Sequence, residues 1–310
     1  MTRGCLAALA LVACSSTGAG NAGPAAAGSA GANARAGAAG SGGNREGAAG
    51  VGAAAGTTAG GNANRGGSDS GGSSTGGAPG SAAGGEASAM VGTIVPLYTD
   101  PSDDSWTAIA SAKQAHPAVQ VVAIVNPNSG PGARVDASYT TGIARLVAAG
   151  IVPIGYVSTA YTARGEPAVK ADIDRWHAFY PSLAGIFFDE QSSQAGDDGF
   201  YRDVSAYAKG QDLSFTVGNP GTSVPASYLG ALDVMLIYES KGLPELTSLS
   251  ADHVERVHYG IIPYGAELDA AFIASAKADV AYVYATSDDL PNPWDTLTPY
   301  FGPLLDALSP

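Results

Sequence analysis

From Val91 onward, short runs of apolar and β-branched residues alternate with longer stretches whose apolar positions recur every three or four residues. The first pattern suits buried strands and the second suits helices that bury one face, so their alternation predicts repeated βα units around a parallel sheet. Eight strands are expected, at Thr93 to Tyr98, Val119 to Asn126, Ile151 to Val157, Ala184 to Asp189, Ser214 to Gly218, Leu232 to Tyr238, Arg256 to Ile262 and Val280 to Ala285. Helices are expected at Ser105 to His116, Thr140 to Ala149, Ala168 to Phe179, Gly199 to Lys209 and Ala266 to Ala276. In the third of these, Ile173, Trp176 and Tyr180 fall at i, i+3 and i+7, which makes one apolar face.

Eight strands over about 220 residues predict a single (β/α)8 TIM-type barrel in the α/β class, near the low end of that fold's usual length. A doubly wound open sheet is the alternative. The barrel is favoured by the polar residues at nearly every strand's C-terminal end: Tyr98 and Asp100, Asn126, Tyr156 and Ser158, Asp189 and Glu190, Asn219, Glu239, Tyr264, and Thr286 with Asp288. In a barrel these ends converge on one mouth, where barrel active sites lie.

Before this region the pattern fails. Residues 15–89 are Gly, Ala, Ser, Asn and Thr with almost no branched apolar or aromatic side chains, so they offer too little apolar area to offset the entropy of ordering. A disordered, flexible linker is expected over 14–89, with the folded domain over 90–310. The chain opens with Met1-Thr2-Arg3, an apolar stretch to Ala13, and Cys14, which reads as a lipoprotein signal peptide over 1–13, too short to span a membrane. Leu11-Val12-Ala13-Cys14 resembles the bacterial lipobox, making Cys14 the expected lipidation site and first mature residue. Loss of Cys5 with the signal leaves no cysteine pair for a disulfide. The protein is thus expected to be exported and anchored through Cys14, at the outer membrane or cell surface.

Net charge is -13, and residues 1–90 hold four basic against three acidic side chains, so residues 91–310 carry -14. That excess argues against nucleic acid and anionic lipid surfaces as partners. His116, His177, His253 and His258 show no metal-ligand spacing, so no metal and no organic cofactor is expected. A GxGxxG match at Gly18, Gly20 and Gly23 lies in the low-complexity stretch with no strand before it, and implies no dinucleotide.

Two apolar runs end in acid, Gly185-Ile186-Phe187-Phe188-Asp189-Glu190 and Leu232 to Glu239. Ionised carboxylates are costly to bury, so acids where core strands emerge invite proton transfer, and a pair of them suits glycoside hydrolysis. Alternation places Asp189 on the face of Gly185 and Phe187, and Glu239 on the face of Asp233, Met235 and Ile237. Glu190 faces the other way if the strand is regular, and enters the site if the strand ends one residue earlier. The Asn126 to Gly132 and Asn219 to Thr222 segments place amides after strands two and five, suited either to turn formation or to sugar hydroxyls. Tyr98, Tyr156, Tyr161, Tyr238, Tyr264 and Trp294 lie near strand ends and are candidates for stacking on sugar rings.

The segments Val95-Pro96-Leu97-Tyr98, Ile124 to Gly132, Gly155-Tyr156-Val157-Ser158-Thr159, Gly185 to Glu190, Asn219-Pro220-Gly221 and Asn292-Pro293-Trp294, in this order, resemble the spherulin 4 family over about residues 92–302. The resemblance implies a (β/α)8 barrel and, from the glycoside hydrolase family 135 members, hydrolysis of α-1,4 linkages in galactosaminogalactan, a polymer of galactose and N-acetylgalactosamine. It carries the acidic site residues to Asp189, Glu190 and Glu239. By analogy with related polysaccharide hydrolases, Asp189 is expected as nucleophile and Glu239 as general acid/base, with Glu190 in support. Tyr98, Asn126, Tyr156, Asn219, Tyr238, Tyr264 and Trp294 are the expected substrate-binding residues. The expected protein is a monomeric, anchored, endo-acting glycosidase for an amino-sugar exopolysaccharide. A non-catalytic polysaccharide-binding or coat protein on the same barrel is the alternative.

Overall fold

A computed structural model describes residues 91–250 and 255–310. The leader, Cys14, the linker, the Gly18 to Gly23 match and His253 lie outside the described residues. Eight parallel strands close into a barrel in sequence order: β1 (Gly92–Leu97), β2 (Gln120–Val125), β3 (Val152–Ser158), β4 (Gly185–Asp189), β5 (Phe215–Gly218), β6 (Val234–Tyr238), β7 (Tyr259–Ile261) and β8 (Tyr282–Val283). The helices between them are α1 (Asp104–Ala115), α2 (Ala137–Ala148), α3 (Gly165–Phe179), α4 (Asp198–Gly210), α5 (Leu246–Ser250) and α6 (Ala270–Ala276), and α7 (Phe301–Leu308) follows β8. The open-sheet alternative is excluded, because β8 pairs with β1 through Tyr282 and Gly92.

Side-chain capping sets several helix starts. Asp136 accepts from the Ser138 N–H at 2.8 Å, so α2 begins at Ala137, three residues before the expected Thr140. Asp269 accepts from the Phe272 N–H at 2.9 Å and starts α6 at Ala270. The expected start at Ala266 fails because its N–H bonds the Thr286 carbonyl beyond β8, which holds it out of helical geometry. Helix α3 starts at Gly165 with Pro167 in its first turn, where a missing N–H costs nothing. The seventh strand is shorter than expected: Arg256–His258 is a 3₁₀ turn, and β7 begins only at Tyr259. Helix α7 was not expected, although Phe301, Leu304, Leu305 and Leu308 bury one face at i, i+3, i+4 and i+7.

The barrel interior is filled by side chains. Phe215 of β5 meets Tyr282 of β8 across it, ring centroids 6.4 Å apart, and Tyr282 Oη donates to Gln120 Oε1 at 2.9 Å near the floor. Higher up, Phe187 packs on Tyr156 at 6.0 Å and Tyr156 on Tyr98 at 5.9 Å, so the ceiling of this plug is the floor of the mouth. Outside, Trp176 of α3 lies flat where β3 carries Gly155, and its indole N–H bonds the Tyr156 carbonyl at 2.8 Å.

Candidate active site

Asp189 ends β4 on the inward face, as alternation predicts, and Tyr156 on β3 donates its hydroxyl to Asp189 Oδ2 at 2.8 Å. Beyond β5, the Asn219 N–H bonds the Phe188 carbonyl at 2.9 Å and the Gln191 N–H bonds the Asn219 carbonyl at 3.0 Å, clamping Asn219 against the end of β4. Its Nδ2 then lies 3.0 Å from Asp189 Oδ1 and 2.5 Å from Glu239 Oε2. An amide nitrogen carries two hydrogens, one for each acid, whereas an amide oxygen here would face two acceptors. Trp294, in the loop after β8, donates its indole N–H to Glu239 Oε1 at 3.2 Å. The nearest oxygens of the two acids are therefore no more than about 5.5 Å apart, the two bonds to Asn219 laid end to end.

Glu239 reaches the mouth by an irregularity. Leu236 pairs with Gly260 and Tyr238 with Ile261, which leaves Ile237 as an extra residue on β6. Gly260 lacks the Cβ that would press on Leu236 and Tyr282, so Leu236 faces the interior with Tyr282. Asp233, three residues earlier, faces the helices instead: it accepts from Thr216 Oγ1 at 2.9 Å and pairs with Lys209 of α4 at 2.7 Å. Regular alternation would send Glu239 outward with Asp233. The bulge reverses the parity and brings Glu239 inward, correcting the expected shared face. Gly221, at a φ of +62°, leaves room beside Glu239, with 3.5 Å between its would-be Cβ and the Glu239 Cβ.

Glu190 lies just past the strand end. Its φ of 52° is the left-handed region, and it turns the carboxylate toward β3, where Ser158 Oγ donates to Oε2 at 2.5 Å. The buried Thr159 hydroxyl donates to the Glu190 carbonyl at 2.8 Å and the Tyr161 N–H to the same oxygen at 2.8 Å. Such a conformation costs about 1 kcal/mol or more for a non-glycine residue, and this clamp holds it.

Burial acts on both acids in the same direction. Burial, and then the charge of Asp189, push Glu239 up to about 7, against the opposing hydrogen bonds from Asn219 and Trp294. Burial also raises Asp189, while the bonds from Tyr156 and Asn219 and the Glu190 backbone N–H favour its ionised form. Two like charges this close oppose each other's ionisation, so the pair favours keeping a proton. Tyr156 and Tyr98 are both held neutral, by burial first and by the negative charge of Asp189 next.

The other expected residues divide. Tyr98 and Trp294 border the carboxylates, and Tyr264 packs edge-on to Trp294 at 6.2 Å. Tyr238 bonds the Gly242 carbonyl at 3.0 Å within its own loop, so its hydroxyl does not face the pair. Asn126 accepts from the Gly130 N–H at 2.8 Å and shapes the β2–α2 loop, the turn-forming reading of that amide. Asp100 accepts from Ser102 in the next turn and Asp288 from Thr296, both within their own loops. Ser158 stands in the sequence only as a polar strand end, and its bond to Glu190 has no signal in spacing. Among the described residues no group of His, Cys, Asp and Glu is placed to hold a metal ion.

Residues 92–308 match a family described as spherulation-specific family 4. Spherulin-4 of Physarum polycephalum is 39% identical over 158 residues, 50% of this chain and 47% of that protein, so the chain spans about half the length of the curated relative it matches. Among solved structures, Sph3 of Aspergillus clavatus, crystallised in complex with GalNAc, superposes with a TM-score of 0.64 at 20% identity, covering 71% of this chain and 97% of that one. At that identity the superposition speaks for the fold, and the family match rests on the sequence itself. The chain belongs to spherulation-specific family 4.

Proposed function

We propose that the barrel is a glycoside hydrolase of the carboxylate-pair type, acting on an amino-sugar-containing exopolysaccharide. One observation carries this reading: two half-buried acids from different strands share the Asn219 amide, their nearest oxygens within about 5.5 Å of each other. An upper bound of this size on the nearest oxygens fits within the roughly 5 to 5.5 Å carboxyl spacing of retaining enzymes, and the retaining course is proposed on that ground.

Glu239, with its pKa near neutrality, keeps a proton and gives it to the departing glycosidic oxygen. Asp189, whose charge is stabilised by Tyr156 and Asn219, attacks the anomeric carbon and forms a covalent glycosyl ester. Glu239, now ionised, takes a proton from water as the water attacks the anomeric carbon and releases Asp189. Glu190, held by Ser158, sits beside the sugar and orients it without entering the bond changes. The GalNAc bound by Sph3 makes an N-acetylgalactosamine polymer such as galactosaminogalactan the first substrate to try, with endo action suited to a long chain. The same proposal takes residues 1–13 as a leader and Cys14 as the lipid-bearing residue that would hold a monomeric protein at a membrane.

The test is release of reducing ends from galactosaminogalactan and a panel of other amino-sugar polymers, with Asp189→Asn and Glu239→Gln alongside. Loss of cleavage in both variants, with glycan binding retained, is the expected result. Binding without cleavage by the unaltered protein on every polymer would instead make it a polysaccharide-binding coat protein.

A further inference from the structure

The β2–α2 and β3–α3 loops meet at the rim of the barrel in a groove of about 350 Å³, lined by residues 128–133 together with Arg164, Asp172 and Arg175. Asp172 stands on α3 and is only 5% exposed. Arg164 Nη2 donates to its Oδ2 at 2.6 Å and Arg175 Nη2 lies 3.1 Å from its Oδ1. A buried carboxylate needs compensation, and this one has two cations, which leaves a surplus positive charge at the groove wall. Lys170, Arg202, Lys209 and Lys241 by contrast each pair with a carboxylate of their own.

The guanidiniums are fixed but not used up. Arg164 also donates to the Ser158 carbonyl at 2.8 Å and Arg175 to the Ala171 carbonyl at 3.2 Å. Each guanidinium has five N–H donors, so these contacts leave about three on each side chain. Both side chains keep exposed surface, 31% for Arg164 and 46% for Arg175. This positive ground is out of place in a segment whose net charge is -14, where solubility alone would favour acid.

The groove also abuts the carboxylate site. Ser158, whose carbonyl anchors Arg164, gives its hydroxyl to Glu190, and Gly130 in the groove wall packs beside the Tyr156 carbonyl. We propose that this groove is a subsite for a uronic acid unit, whose carboxylate is bound by Arg164 and Arg175. Planar guanidinium forks match a planar carboxylate, and the same two side chains already hold one in Asp172. The proposal rests on the hydrolase reading and adds to it an acidic unit in the polymer, which galactosaminogalactan, built of galactose and N-acetylgalactosamine, does not supply.

The test is calorimetric titration of the full chain carrying Glu239→Gln, which prevents turnover, with an oligogalacturonate and with its methyl ester, the same skeleton without charge. The acid should bind about tenfold or more tightly than the ester, and the difference should shrink as salt is raised. Arg175→Ala, which leaves Asp172 paired with Arg164, should remove most of that difference. Arg175→Lys, which keeps the charge without the fork, should lose a large part of it too. Equal affinity for acid and ester overturns the proposal, as does an unchanged preference in folded Arg175→Ala or Arg175→Lys. Inorganic phosphate binding in place of the uronide, with the same dependence on Arg175, also overturns it and reassigns the groove to a phosphorylated glycan. Failure to cleave any polymer would sink the hydrolase reading alone, because this readout is binding.

Discussion

Asn219 gives one amide nitrogen to two acids, standing 2.5 Å from Glu239 Oε2 and 3.0 Å from Asp189 Oδ1. Its Oδ1 is buried and has no partner among the described residues, an expensive omission unless the amide is kept for its nitrogen. Asn219→Ala should therefore cut turnover by about tenfold to a hundredfold, from loss of the charge-assisted bond to Asp189, about 1.5 to 3 kcal/mol, with little loss of thermal stability. Steady-state kinetics beside a melting curve checks both, and near-normal turnover would remove Asn219 from the machinery.

The pH dependence has a defined sign. Glu239 titrates near 7 in the folded protein, above an ordinary carboxyl, so it binds its proton more tightly folded than unfolded. The stability it contributes is complete below the ordinary carboxyl pKa and is lost as pH rises through about 7. Glu239→Gln should raise the unfolding temperature at pH 8 more than at pH 5. An equal change at both would show that Glu239 titrates normally.

Trp294 donates to Glu239 and so favours its ionised form. Trp294→Phe should raise the Glu239 pKa further and carry the alkaline limb of the rate profile upward. A bond of about 0.5 to 1.5 kcal/mol corresponds to a shift of about half a unit to one unit. A limb that stays in place or moves down would break the link between indole and acid.

Gly155 stands against the face of Trp176, where an added Cβ would come within 2.6 Å of ring atoms that are themselves fully buried. Gly155→Ala should destabilise by about 1 to 3 kcal/mol through overpacking. Denaturant unfolding reads the change directly, and an unaltered midpoint would mean that α3 can shift without loss.

Cys14→Ser should release the protein from membranes to the soluble fraction and abolish incorporation of labelled fatty acid. Membrane association that survives the substitution would point to another anchor.

The strands were readable because a core strand must be apolar whatever its partners, and β4 ends at Asp189, where its run of apolar residues stops. Helix α7 was readable too, from its apolar spacing, but lay beyond the eighth strand, where nothing in the barrel pattern demands another helix. Helix starts were less legible, since they rest on single capping bonds such as Asp136 to Ser138. Asp189 and Glu239 were visible as acids out of place in apolar company. The amide between them was visible only as an Asn in a turn, because sharing a donor is a relation across three strands.

By itself the sequence determined that residues 91–310 form alternating strands and helices, that acids end two of the strands, and that residues 15–89 lack the apolar area for a core. These follow from local periodicity and from the cost of burying charge, properties that each segment carries alone. The tertiary structure decided which face each acid takes and what it meets. An extra residue at Ile237 turns Glu239 inward, a left-handed Glu190 reaches Ser158, and α3 brings Arg175 beside Arg164 over one buried carboxylate. Parity after a bulge, backbone handedness and the number of cations on one acid depend on neighbours distant in sequence, so only the closed barrel could set them.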